Sequence, residues 1–175
     1  RRKTAWPLAC SRRVVEKMSV ESVLNTNIVP KIGLETHVKL NTGRKLFCSC
    51  PAVSESALPN ALTCLICLGF PGSKPQLNRE AFEQAVKIAL VLNCTASSQV
   101  VFSRKTYYYP DLSKNFQITQ FESPVGLNGL FDAGDLRVVI QRVQLEEDPA
   151  QVFYKQSMLA DEYSLLDYSR SGTAL

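Results

Sequence analysis

Four of the six cysteines lie in two close pairs within the stretch KLFCSCPAVSESALPNALTCLICLGF. Cys48 pairs with Cys50 and Cys64 with Cys67, and thirteen residues separate the pairs. Each pair can supply two of the four thiolates that tetrahedral Zn²⁺ requires, with the loop closing over the metal. Buried free thiols and redox chemistry are alternatives, although neither pair has the strand-to-helix setting of a thioredoxin-type site. A closed four-sulfur site leaves no open coordination position, so we predict that zinc here would be structural.

A carboxylate and an imidazole lie two residues apart in IVPKIGLETHVKL: Glu35 and His37, the only histidine of the chain. If this stretch is a strand, both side chains project from one face, roughly 7 Å apart. Such a pair can hold Mg²⁺ or orient a phosphate. A single histidine is more often structural than catalytic, but the polar face and the adjacent Gly33 favour the functional interpretation.

Three consecutive acids, Glu146, Glu147 and Asp148, follow an apolar stretch in RVQLEEDPA. Acid runs are often solvated turns, yet clustered carboxylates at a strand end are also the oxygen ligands that Mg²⁺ prefers. The sequence leaves both interpretations open. Strict alternation along the strand places Glu146, not Glu147, on the face of Gln144.

Basic and aromatic residues are interleaved in SRKTYYYPDLSKNFQITQF, where Arg104 and Lys105 precede three tyrosines. This composition suits single-stranded nucleic acid, whose phosphates contact cations and whose bases stack on rings. The alternative is a strand and turn whose tyrosines only pack.

The elements that position these residues are predicted as one helix among several strands. In PQLNREAFEQAVKIALVLNC, Asn78 can cap a helix, and apolar residues recur at helical spacing. That stripe is Phe82, Ala85, Val86, Ala89 and Leu92. Alternating patterns predict strands over Ile28–Leu40, Gln99–Phe102, Phe116–Phe121, Arg137–Leu145 and Tyr163–Tyr168. Turn signals in YPDLSKN, SPVGLNG and FDAGD separate them, and the whole indicates an α+β domain, mostly antiparallel sheet with few helices.

Composition restricts the class of protein. The 175 residues are 45% hydrophobic and contain no apolar run long enough for a membrane-spanning helix. The first 17 residues hold six basic side chains against one acid, whereas the rest is nearly neutral, so the body is not a general polyanion binder. Residues 1–27 therefore form a basic extension that resembles a transit peptide for the mitochondrial matrix or a plastid. The alternatives are that the extension is a disordered tail, that the protein starts at Met18, or that it is a bacterial cytoplasmic protein. A phosphate-binding loop and a GxGxxG motif are both absent, so a bound nucleotide would need a metal and a sheet face.

Several stretches, taken in order, resemble the B subunit of the aspartyl/glutamyl-tRNA(Asn/Gln) amidotransferases, the GatB family. The matching motifs are IGLETHVKLNT, KLFCSC, CLICLGFPG, LNREAFEQAVKIALVLNC, RKTYYYPDLSKNFQITQF, LEED and DYSRSGT. The archaeal paralogue specific for Glu-tRNA(Gln), the E subunit, shares the same core. The resemblance implies that residues 28–175 are the N-terminal part of a truncated catalytic domain, a cradle similar to glutamine synthetase, that is inactive by itself.

The implied enzyme is a carbon–nitrogen ligase of protein biosynthesis with glutamine as amido donor. In that family the side-chain carboxylate of Glu or Asp mischarged on tRNA(Gln) or tRNA(Asn) is phosphorylated by ATP. Ammonia from a partner amidase, the A subunit, then displaces the phosphate, and a small C subunit makes up the rest of the complex. The implied cofactors are ATP, Mg²⁺ and structural Zn²⁺.

The resemblance also assigns roles by position in the motifs. The implied catalytic residues are Glu35, His37, Glu146 and Glu147. Of these, Glu35 and Glu147 are the implied magnesium ligands. The implied contacts to the acceptor end of the tRNA are Arg104, Lys105, Tyr107, Tyr109 and Asp111. The implied zinc ligands are Cys48, Cys50, Cys64 and Cys67.

The chain departs from the family's usual pattern beside these motifs. Gln144 replaces a histidine, Pro149, Ala150 and Gln151 replace Ala-Gly-Lys, and Ser113 and Asn115 replace a proline and a glycine. A non-enzymatic zinc-ribbon nucleic-acid-binding domain and an inactive truncated copy are the alternative functions.

Overall fold

A computed structural model describes residues 29–52, 57–156 and 161–175. The basic extension 1–27 and Ile28 lie outside the described residues. The chain divides into two compact units, Arg1–Thr36 and His37–Leu175. In the first unit the described residues 29–36 are exposed and form neither helix nor strand. No helix in the described ranges has the length and apolarity needed to cross a membrane.

The helix predicted around the apolar stripe is confirmed as α1, Arg79–Val91. Asn78 is its N-cap, and the Asn78 side chain accepts a hydrogen bond from the backbone N–H of Glu80 at 3.0 Å. This bond satisfies one of the backbone donors that a helix leaves unpaired at its first turn. The buried face of α1 carries small side chains, Ala81, Ala85 and Ala89.

Seven strands in three antiparallel groups make up the rest of the regular structure in the described residues. Their bounds are β1 Thr95–Ala96, β2 Ser103–Thr106, β3 Phe116–Thr119, β4 Gly126–Ala133, β5 Leu136–Val143, β6 Gln151–Gln156 and β7 Asp161–Asp167. The groups are β1-β4-β5, β2-β3 and β6-β7. The predicted α+β class, mostly antiparallel with few helices, is confirmed. The likeness to the glutamine synthetase cradle stays a prediction.

Small residues let α1 pack closely on the three-stranded sheet. A Cβ at Gly126 would lie 2.7 Å from Cβ of Ala89, and one at Gly129 would lie 2.5 Å from the carbonyl oxygen of Leu92. The backbone N–H of Leu130 donates to that same Leu92 carbonyl at 2.9 Å. Helix and sheet are therefore joined with no room for side chains at the two glycines.

Three local predictions are wrong. The stretch predicted as a strand from Ile28 to Leu40 is irregular over its described residues, so Glu35 and His37 do not share a strand face. A strand needs a neighbouring backbone with which to form a ladder of hydrogen bonds. The backbone hydrogen bond described between this stretch and a distant segment is the one from the N–H of Leu40 to the carbonyl of Ala174. The strand predicted at 99–102 begins instead at Ser103, where pairing with β3 starts. The predicted turn SPVGLNG contains the start of β4.

The backbone around the acid run is held by hydrogen bonds outside the named strands. The N–H of Glu147 donates to the Ile118 carbonyl, and Glu147 forms an antiparallel bridge with Ala174. The neighbouring Gly172 accepts from the N–H of Leu46. The acid run therefore lies between the β3 segment and the segment 171–175, which in turn contacts residues 40–46.

Candidate active site and cysteine cluster

The three consecutive acids are buried, each exposed by less than a tenth: Glu146, Glu147 and Asp148. The interpretation of this run as a solvated turn is therefore wrong. A buried carboxylate is costly unless it is paired and hydrogen-bonded. Each of the three has a basic partner, contributed by His37, Lys114 and Arg170 respectively.

Glu146 forms the pair with His37. Nε2 of His37 lies 3.2 Å from Oε1 of Glu146. The other carboxylate oxygen, Oε2, accepts from the hydroxyl of Thr119 at 2.9 Å and from the amide of Gln144 at 3.0 Å. Strand alternation correctly places Glu146 on the side of Gln144. The imidazole is 59% exposed and the carboxylate 9%, so the pair is accessible to solvent from the His37 side.

Glu147 has a different set of partners from Glu146. Lys114 Nζ lies 2.6 Å from Oε1 of Glu147 and donates to Oε2 at 2.7 Å, and the N–H of Ile118 donates to Oε1 at 2.7 Å. Burial raises the pKa of Glu147, and the Lys114 charge and these hydrogen bonds oppose that rise. Both oxygens are thus engaged by protein donors. Sequence reasoning missed Lys114, which lies in the YPDLSKN turn and has no spacing that connects it with residue 147.

Asp148 is held by a two-pronged contact with Arg170. Nε of Arg170 lies 2.5 Å from Oδ2, and Nη2 donates to Oδ1 at 2.6 Å. The hydrogen bond to Asp148 is the main cause that raises the pKa of Arg170. This bidentate geometry fixes the segment after β7 against the acid run.

Glu35 belongs to the first compact unit and is exposed. The roles assigned to Glu35 and Glu147 as magnesium ligands stay predictions. The geometry of the second unit brings together His37 and Glu146, whereas Glu147 is paired with Lys114.

The residues implied at the tRNA acceptor end lie on the β2–β3 hairpin and its turn. Arg104 and Lys105 are exposed on β2. The guanidinium of Arg104 lies over the ring of Phe116, 4.7 Å from its centroid. The rings of Tyr107 and Tyr109 are stacked, with centroids 5.3 Å apart and an interplanar angle of 21°.

Exposure distinguishes the members of this set. Tyr107 and Tyr109 are exposed, so their stacked rings are accessible. Asp111 is only partly exposed, and its backbone carbonyl accepts from the N–H of Ala150. Asp111 therefore lies where the hairpin turn meets the end of the acid run. Adjacent strand residues point to opposite faces, so Arg104 and Lys105 do not share one surface.

The two cysteine pairs meet, as their spacing predicts. The four Sγ atoms of Cys48, Cys50, Cys64 and Cys67 lie within 4.8 Å of one another. A Zn–S distance of about 2.3 Å implies sulfurs about 3.8 Å apart in a tetrahedron. The Sγ atoms of Cys64 and Cys67 are 3.9 Å apart, and the set of four is compatible with a zinc ion.

The cluster also stabilises a thiolate. The hydrogen bond from Cys48 lowers the pKa of Cys67 to about 4 against the effect of burial, with help from the backbone N–H of Cys64 and the charge of Lys45. The same bond, together with burial, raises the pKa of Cys48. Burial is the main cause that raises the pKa of Cys50 to about 11. Deprotonated sulfur is the form that binds metal.

These features define a class of protein: an α+β domain with a buried, cation-paired acid run and a four-cysteine cluster beside it. A family model described as the GatB/GatE catalytic domain matches residues 30–175. The chain therefore belongs to the GatB/GatE catalytic domain family.

Curated relatives agree with the family assignment. The chain is 45% identical over 151 residues to the B subunit of the aspartyl/glutamyl-tRNA(Asn/Gln) amidotransferase of Saccharolobus solfataricus, an alignment covering 83% of this chain and 32% of that protein. It is 42% identical over 163 residues to the protein of the same name from Haloquadratum walsbyi, covering 90% and 33%. The chain is also 42% identical over 148 residues to the protein of the same name from Carboxydothermus hydrogenoformans, an alignment covering 82% of this chain and 31% of that protein. The chain thus spans about a third of the length of these relatives.

Two of the departures from the family pattern have a structural account. Asn115 adopts a positive φ of 59°, a left-handed conformation that glycine adopts freely and asparagine tolerates better than most residues. Gln144 supplies an N–H donor to Glu146, as a histidine at this position also could. Both residues are therefore compatible with the local geometry of this chain.

Proposed function

We propose that this chain is part of the catalytic B subunit of an ATP-dependent tRNA amidotransferase, which converts Glu-tRNA(Gln), Asp-tRNA(Asn) or both to the amidated forms. The observation that carries the proposal is the family match over residues 30–175, which includes the His37–Glu146 pair. The names of the relatives support the substrate class.

The proposed reaction has two steps. In the first, a side-chain carboxylate oxygen of the mischarged amino acid attacks the γ-phosphorus of ATP, and ADP leaves with the bridging oxygen. The acyl phosphate that forms has a good leaving group, which the free carboxylate lacks. Ammonia then attacks the acyl phosphate, and inorganic phosphate leaves. The accessible side of the His37–Glu146 pair is the proposed location of this chemistry.

The donor set around residue 146 is suited to part of a magnesium site. Glu146 offers a carboxylate already aligned by Thr119 and Gln144, and His37 lies beside it. Mg²⁺ bound there would offset the negative charge of the transferring phosphoryl group. Glu147 already has the charge of Lys114 beside both of its oxygens, and its side chain is 3% exposed against 9% for Glu146. Glu146 is therefore the carboxylate that we propose as the better placed for a metal.

The acceptor end of the tRNA is proposed to bind the β2–β3 hairpin. Stacked, exposed tyrosines are suited to a terminal unpaired base, and Arg104 and Lys105 are suited to phosphates. The near-neutral charge of the body argues that this contact is local and does not extend over a large basic surface.

The cysteine cluster is proposed to hold a structural zinc ion. Its role is to fix the loop 57–68 beside the acid run, and no step of the reaction is assigned to it. The proposed partners are the amidase, or A, subunit, which supplies ammonia, together with the small C subunit. The basic extension supports a proposed location in the mitochondrial matrix or a plastid.

The test is a conversion assay with the full-length protein and its partners. We expect amidated aminoacyl-tRNA to form only when glutamine and ATP are both present. Correctly charged Gln-tRNA(Gln) serves as the control that consumes no ATP. An assembled complex that leaves mischarged tRNA unchanged contradicts the proposal. If the B-subunit chain in such an inactive complex still binds RNA, with an affinity that falls steeply as the salt concentration rises, the nucleic-acid-binding alternative is supported.

A further inference from the structure

Lys45 is a buried lysine beside the cysteine cluster, with a relative exposure of 0%. Its ammonium donates to the backbone carbonyl of Leu62 at 2.7 Å and to that of Tyr168 at 3.3 Å. It also lies 3.7 Å from Sγ of Cys67. Of these three described partners, two are neutral carbonyls and only Cys67 can carry a negative charge.

The position of the Lys45 ammonium matters because a metal-loaded cysteine cluster would be negatively charged. Four thiolates around Zn²⁺ carry a net charge of −2, which is costly in a partly buried site unless a cation is near. Lys45 supplies one positive charge from inside the protein, on the side of Cys67, the most buried of the four cysteines. The N–H of Cys64 donates to the same sulfur at 3.1 Å.

The ammonium also joins two chain segments that enclose the cluster. Leu62 lies between the cysteine pairs, and Tyr168 follows β7. The same two segments are tied by Asn60, whose backbone N–H donates to Oδ1 of Asp167 at 2.7 Å. A Cβ at Gly172 would lie 3.7 Å from Cδ of Lys45, so the segment after β7 packs directly on the lysine side chain.

We propose that Lys45 is a positioning residue of the cysteine metal centre. Its ammonium balances part of the negative charge of the metal–thiolate cluster and, through Leu62 and Tyr168, holds the two enclosing segments in place. This inference rests on the metal centre in the proposed function. It predicts that Lys45 acts on metal affinity and not only on folding.

The experiment compares Lys45→Met with Lys87→Met, a matched loss of charge at an exposed position of α1. The affinity of the full-length chain for Co²⁺ is measured from the sulfur-to-cobalt charge-transfer bands, and that for Zn²⁺ by competition with a chromophoric chelator. We expect Lys45→Met to bind both metals roughly 10- to 100-fold more weakly, the usual effect of removing a residue that supports metal ligands. Lys87→Met is expected to bind like the wild type.

Stability measurements separate this role from a purely structural one. Lys45→Met should lose more unfolding free energy in the zinc-loaded protein than in the metal-free protein. If the variant folds only with metal present, its rate of zinc release into excess chelator is measured in place of the affinity. That rate should rise by roughly 10- to 100-fold.

Two outcomes overturn the inference in different ways. A Lys45→Met protein with wild-type affinity and spectrum overturns the role of Lys45 and leaves the metal centre intact. A wild-type chain that binds no Co²⁺ or Zn²⁺ through four thiolates overturns the metal centre, and the role of Lys45 with it.

Discussion

Nζ of Lys114 lies 2.6 Å from Oε1 of Glu147, and the two side chains are only 6% and 3% exposed. They are 33 positions apart in sequence. The pair joins the turn before β3 to the acid run, one residue from the carboxylate that contacts His37. A buried ion pair costs desolvation when it forms, but the loss of one partner leaves an isolated buried charge.

We therefore predict that Lys114→Met lowers the unfolding free energy by roughly 3–5 kcal/mol. The pKa of Glu147 should rise further, because burial is then no longer opposed by the lysine. Urea unfolding measures the first effect and the infrared carboxyl band of Glu147 the second. Lys74→Met, at an exposed position, is the control. A stability within about 0.5 kcal/mol of wild type would show that the pair contributes little.

His37→Ala is predicted to separate activity from stability. The imidazole is 59% exposed, so its loss should change the unfolding free energy by less than about 1 kcal/mol. In the assembled complex we expect conversion of mischarged tRNA to fall by roughly 10²-fold or more, because a group of the proposed reaction site is lost. The partner's glutaminase activity is the internal control. Normal conversion would remove His37 from the proposed site.

Asp167 gives a pH dependence whose sign follows from its contacts. Burial raises its pKa, but hydrogen bonds from the N–H groups of Asn60 and Ser169 outweigh that effect and lower it below the ordinary value of 3.8. The contribution to stability is present above the ordinary value and is lost as pH falls through the lowered one. Asp167→Asn should therefore be less stable than wild type at about pH 6, with a difference that shrinks towards about pH 2.

Thermal or urea unfolding of both proteins across this pH range measures the effect. Asp135→Asn, in the exposed β4–β5 turn, provides a matched control. A difference that is constant with pH would mean that the charge of Asp167 does not contribute and that only its shape matters.

Asn78→Ala is predicted to destabilise the domain by about 1–2 kcal/mol, because it removes the N-cap of α1. The side-chain amide also donates to the carbonyl of Arg44 at 3.0 Å, so the variant loosens the segment that leads into the first cysteine pair. Asn78→Asp keeps the cap acceptor but not that donor. We expect it to recover most of the lost unfolding free energy, and no recovery would show that the cap is not the main contribution.

The sequence by itself determined the features whose signals are local. The apolar stripe and Asn78 define α1 within a few residues, and the two cysteine pairs carry their spacing in one loop. The ordered motifs are long enough to identify the family. Strand bounds were less accurate because a strand depends on its neighbour: β2 begins where β3 can pair with it, and residues 29–40 alternate without forming a strand.

Only the tertiary structure decided which cation meets which acid. The partners of Glu146, Glu147 and Asp148 come from three distant segments, and no spacing in the chain connects them. Alternation along the strand placed Glu146 and Glu147 on different faces, but it did not predict which residue each would contact. The proposed role of Lys45 likewise could not be inferred from KLFCSC, because its burial and its contacts with Leu62 and Tyr168 arise only when the chain folds. Charges are paired by proximity in space, and in this protein that proximity is created by long-range packing.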